Sequence, residues 1–80
     1  MNGIRVYINM AGVGPTREPA VFYSRRADGP YYRWRFEQQS EQWRFRRVQP
    51  TVSMLKVFRI APWDGTPPAL QKKLAEHYFE

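Results

Sequence analysis

The sequence predicts an α+β domain: an antiparallel β-sheet of four to five strands with one C-terminal helix packed on one face, in the order β-β-β-β-β-α. Three observations carry the prediction. Aromatic and arginine residues alternate with period two in Tyr31-Tyr32-Arg33-Trp34-Arg35-Phe36 and again in Trp43-Arg44-Phe45-Arg46-Arg47-Val48. Gly, Pro and Asp-Gly signals punctuate the other apolar runs at strand-like intervals. A single apolar stripe at helical spacing comes last, at Leu70, Leu74, His77 and Tyr78.

At 80 residues the chain is one small domain. A chain of that size buries only roughly 60% of its unfolded surface. With no cysteine there is no disulfide to supplement the core, and a single histidine makes a zinc site a poor expectation. Dense aromatic packing (16% Phe, Trp and Tyr) or self-association is left to do it.

The first strand is Ile4, Val6, Ile8 and Met10 alternating with Arg5, Tyr7 and Asn9, with Arg5 and Tyr7 facing outward. The segment 11–16 reads as a loop that Pro19 closes. Its two glycines follow a strand, but no third glycine and no Gly-Lys-Ser/Thr follows, so a phosphate-cradling loop is not expected. Val21 to Arg26 forms the second strand. Asp28-Gly29 signals a turn, and Pro30, lacking an N–H, widens it into a loop from Ala27 to Pro30.

The third and fourth strands fold back around Gln39 and Ser40 with a four-residue connection. That register sets Phe36 opposite Trp43, Trp34 opposite Phe45, Arg35 opposite Arg44 and Arg33 opposite Arg46. Thr51 to Ile60 reads as a fifth strand with apolar residues on both sides, suited to a central position or to a partner subunit. Thr66 and Pro67 then start the helix as cap and first residue. Trp63 is expected as a lid on the helix–sheet seam.

The net charge is +6, and all of the excess lies between Arg25 and Arg59; the remainder of the chain is neutral. Most of the basic residues are arginine, whose planar fork pairs with phosphate or carboxylate and stacks on rings. If the helix covers the aromatic face of the sheet, the opposite face stays open to water and carries Tyr31, Arg33, Arg35, Arg44 and Arg46, joined by Arg5, Tyr7 and Arg59. Arginines for phosphates and tyrosines for unpaired bases make single-stranded DNA or RNA the expected partner.

Competing expectations are weaker. A solvated face usually mixes both signs, and this one does not. Turning Trp34, Phe36, Trp43 and Phe45 outward would bury four guanidinium groups without carboxylates, which is prohibitive. An assembly module, either a homodimer or an adaptor for an acidic protein, is the main alternative and would use the two-faced fifth strand. His77 reads as a core-edge residue rather than a base, and no acid pair or nucleophile–base pair can be placed, so neither an enzyme nor a cofactor or metal is expected. No segment resembles a membrane span, signal peptide or lipid anchor, and the cytoplasm is the default address.

Overall fold

A computed structural model describes residues 3–9 and 21–79. The glycine- and proline-containing loop at 11–16, Pro19 and the Met10 end of the first strand lie outside the described residues. The elements run β1 (Ile4–Asn9), β2 (Val21–Arg26), β3 (Tyr31–Glu37), β4 (Gln42–Val48), α1 (Val52–Val57), β5 (Phe58–Ile60), a 3-10 turn (Trp63–Gly65) and α2 (Pro68–Phe79). The five strands form one sheet in the order β4-β3-β2-β1-β5, and every neighbouring pair is antiparallel. The α+β architecture with one C-terminal helix on the sheet is therefore as the sequence predicts.

The β3–β4 register is the expected one, with Trp34 opposite Phe45, Phe36 opposite Trp43, Arg35 opposite Arg44 and Arg33 opposite Arg46. The four connecting residues from Gln38 to Glu41 close it, with Glu41 in the left-handed region at φ 55°. The β2–β3 loop spans Ala27 to Pro30, again as expected, with Asp28 at φ 46° and the Gly29 N–H bonded to the Arg26 carbonyl.

Helix α2 covers the aromatic face. Leu70 and Leu74, one turn apart, are fully buried against Val6, Phe22, Trp34, Trp43 and Ala61. Trp63 packs at the margin of this core, and the Gln71 side-chain amide donates to its carbonyl at 2.6 Å. Beneath the helix a polar chain is fully satisfied. Trp34 Nε1 donates to Ser24 Oγ at 2.8 Å, and Ser24 Oγ shares a 2.7 Å hydrogen bond with the Tyr78 hydroxyl. Arg26 reaches the Tyr78 carbonyl at 3.0 Å, a cation at a helix C-terminus, where the dipole favours it. Thr66 does not cap α2; its hydroxyl turns back to the Pro62 carbonyl at 3.1 Å and closes the 3-10 turn, and the helix starts at Pro68.

The continuous fifth strand expected over Thr51 to Ile60 is not there. Thr51 caps a short helix by accepting the Met54 N–H at 3.2 Å, α1 lasts six residues, and only Phe58 to Ile60 is extended. The helix fits the same side chains differently: Met54 and Val57, three apart, are half-buried, whereas Val52 (70% exposed) and Leu55 point outward. Strands β4 and β5 occupy opposite edges and run in the same direction, so the Gln49–Val57 connection has to traverse the sheet. A helical turn shortens and stiffens such a crossover.

Candidate nucleic-acid interface

Residues directly opposite on neighbouring strands share a face, so the registers place every candidate side chain. Arg33, Arg35, Arg44 and Arg46 stand on the face turned away from α2, in two adjacent cross-strand pairs. Arg5 and Tyr7 join them through β1, whose partners Arg25 and Tyr23 belong to the same face. Tyr31 shares it as well, by parity with Arg33. Arg59 does not. It lies opposite Ile8, a residue of the helix side, and its guanidinium group folds back onto the carbonyls of Lys56 and Phe58. The residues flanking it in β5, Phe58 and Ile60, take the arginine side instead.

Phe58 also changes the expected picture of a bare face. Its ring rests 4.6 Å from Tyr23, 5.8 Å from Tyr7 and 6.2 Å from Tyr31, centroid to centroid. Tyr31 is further held by Arg25, whose guanidinium group lies 4.5 Å over the ring and donates to the hydroxyl at 3.1 Å. The tyrosines thus form a small second apolar cluster and are engaged by their own chain. The cover is confined to them: Arg5, Arg35, Arg44 and Arg46 remain exposed, and Arg33 is half-buried.

Arg25 was not among the residues the sequence assigned to this face. The Ala27–Pro30 loop gave no signal for it, because a four-residue connection would set Arg26 opposite Tyr31, whereas the register of Tyr23 with Arg33 and Ser24 with Tyr32 continues to Arg25 opposite Tyr31. Among the described residues one acid shares the arginine face, Glu37, 3.6 Å from the Arg44 Nε and accepting the Ser40 hydroxyl at 2.7 Å. Both partners of that ion pair are well exposed, so it is a weak tether.

On the opposite side, His77 sits among rings, 4.6 Å from both Tyr32 and Phe45, 4.7 Å from Tyr78 and 5.6 Å from Trp34. Burial lowers its pKa below the usual histidine value. Burial likewise raises the Tyr78 phenol above its usual value, against the opposing effect of the Ser24 hydrogen bond. The signs set a pH window. The unfolded chain takes up the imidazole proton before the folded one does, so stability drops as pH falls below about 6.5. The unfolded chain also releases the phenolic proton first, so stability drops again above about pH 10. Thermal melts should give a lower midpoint at pH 5.5 than at pH 7.5, and His77→Phe should shrink that difference.

Among the described residues no helix is long and apolar enough to cross a membrane, and no cluster of His, Cys, Asp and Glu could hold a metal ion. Fold and face together define a small antiparallel-sheet domain with one helix-covered side and one arginine-lined side. Comparison with family models, with curated proteins and with solved structures returned no match.

Proposed function

We propose that this domain binds nucleic acid, in single-stranded form, on the arginine face of the β3–β4 hairpin, and that it does so without catalysis and in the cytoplasm. The observation that carries the reading is the two-by-two block of Arg33, Arg35, Arg44 and Arg46. Its rows are about 6.6 Å apart along the strands and its columns about 4.8 Å apart across them. The longer interval is close to the separation of successive phosphates along a nucleic-acid strand. Each phosphate can then be gripped by one facing pair, Arg35 with Arg44 or Arg33 with Arg46. A phosphodiester anion held between two guanidinium groups also offsets part of the repulsion that facing arginines otherwise suffer.

A flat face favours a single strand over a duplex. A major groove accepts a projecting helix or ribbon, and α2 packs on the other side of the sheet. Neither DNA nor RNA is favoured by charge alone. The assembly alternative loses its main support, because the two-faced strand it relied on is a short helix followed by three extended residues. What remains for it is exposed apolar surface at Val52, Leu55 and Ile60. The β4 edge, without a strand neighbour among the described residues, suits self-pairing badly, since Arg44, Arg46 and Arg47 would meet their own copies there.

The deciding experiment is an anisotropy titration with single-stranded and duplex oligonucleotides at two salt concentrations. Salt-sensitive binding that prefers the single strand is expected; absence of binding at 50 mM salt, with a dimer in solution, would transfer the case to the assembly reading. Replacing Glu37, the acid beside Arg44, gives a second check. Glu37→Gln frees Arg44 and should raise affinity about two- to fivefold at low salt, the size of an exposed ion pair. The gain should vanish in high salt, where screening removes such pairs in any case.

A further inference from the structure

We propose that an unpaired base of the bound strand enters the cleft between the β4 edge and α2, stacking on Phe45 while its phosphates lie on Arg44 and Arg46. This rests on the nucleic-acid reading above and names where the bases go. The arginine face itself offers them little, because Tyr7, Tyr23 and Tyr31 are engaged by Phe58 and Arg25.

Among the described residues strand β4 has no neighbour on its outer side. Its two faces therefore meet at an open edge, and Arg44 lines both the arginine block and the cleft. The cleft has a volume of about 420 Å³, ample for a nucleobase. Phe45 is 49% exposed, whereas its ladder neighbours Trp34 and Trp43 are buried beneath α2. One side of the Phe45 ring lies against Trp34, 4.7 Å away, and His77 stands beside it.

Polar groups sit where a base edge would need them. The His77 imidazole makes ring contacts and no side-chain hydrogen bond among the described residues, so it has donor and acceptor capacity to spend. Gln42 and Glu76 line the same cleft, and Lys73 adds a cation on the α2 side. Charge complementarity selects the occupant: an aromatic floor bordered by Arg44 and Lys73 fits a planar heterocycle carried on an anionic backbone.

The test compares a uniform oligothymidylate with an abasic strand of equal length and charge, titrated against the whole domain. The base-bearing strand should bind about tenfold or more tightly, with the same salt slope for both, since stacking adds affinity without adding phosphate contacts. Phe45→Ala should bring the base-bearing strand down to the abasic level and leave the abasic affinity unchanged. Phe45→Leu, which keeps apolar packing on Trp34, should do the same if the alanine variant melts too early to use. Equal affinity for both strands overturns the proposal while leaving the phosphate reading intact. Polyglutamate binding as tightly as the oligothymidylate also overturns it, because charge alone would then suffice. If neither strand binds, both readings fall together.

Discussion

Reversing Arg35 and Arg44 together, as Arg35→Glu with Arg44→Glu, should lower affinity for a single-stranded oligonucleotide more than a hundredfold at 0.1 M salt and leave the fold intact. The size follows from the contacts removed. A hydrogen bond to a charged group contributes about 1.5–3 kcal/mol, so losing two costs at least about 3 kcal/mol, or roughly two decades in affinity, before the repulsion from two new carboxylates. The salt dependence should change with it. Two neutralised phosphates, one per facing pair, give a slope of about −1.4 for single strands, close to a sevenfold loss between 50 and 200 mM salt, and the double variant should retain at most half that slope.

Both residues are exposed, so melting should hardly move. Arg35→Glu alone should even stabilise slightly, because it sets an acid directly opposite Arg44. The control is Arg47→Glu with Lys72→Glu. Both of these are exposed, Arg47 lies opposite Tyr32 on the helix side, and the pair lowers the net charge as much. That control should keep most of the binding. If it loses as much as the ladder pair, bulk charge and not the arginine block is responsible.

The hairpin and its two faces were legible in the sequence because a period of two leaves one register that keeps rings with rings. A slip by one residue mixes Trp34 with Arg44 and forfeits every aromatic pair. Helix α2 was legible for the analogous reason at its own period, with Leu70 and Leu74 one turn apart. The stretch from Thr51 to Ile60 was not. Val52, Met54, Leu55 and Val57 satisfy both periods over so short a span, and a helix of one and a half turns has no stripe long enough to decide. The cap at Thr51 was the discriminating signal, placed directly after a proline.

The errors at the site follow from that one misreading. A strand of ten residues would carry Arg59 in whichever phase its neighbours set. A crossover that brings Phe58 down on Tyr7, Tyr23 and Tyr31 fixes Phe58 and Ile60 on the arginine side and sends Arg59 to the other. Topology, not local pattern, determined it. The same crossover occupies the tyrosines that the sequence offered as stacking platforms, while Phe45, at the β4 edge, stays about half exposed.

Trp34→Ala should cost about 3–5 kcal/mol, the range for deleting a buried aromatic side chain. Trp34 is 1% exposed, the largest side chain so deeply placed among the described residues, and it meets Leu70, Leu74 and Phe22 in one cluster while its ring lies 4.7 Å from that of Phe45 at a 34° tilt. For 80 residues the expected total is only about 4–12 kcal/mol, so the variant should be largely or wholly unfolded at 37 °C. Ser24→Ala isolates the polar part of the same contact. It removes a fully buried hydroxyl and leaves the Trp34 Nε1–H without an acceptor, at a cost of about 1–3 kcal/mol. Tyr78→Phe should cost less, because Ser24 keeps its bond from Trp34 and the phenyl ring stays in place. Chemical denaturation of the three variants should therefore rank Trp34→Ala below Ser24→Ala and Ser24→Ala below Tyr78→Phe. A Trp34→Ala protein with an unshifted midpoint would mean that α2 does not seal the sheet through this ring, and the division into one covered and one arginine-lined face would lose its structural basis.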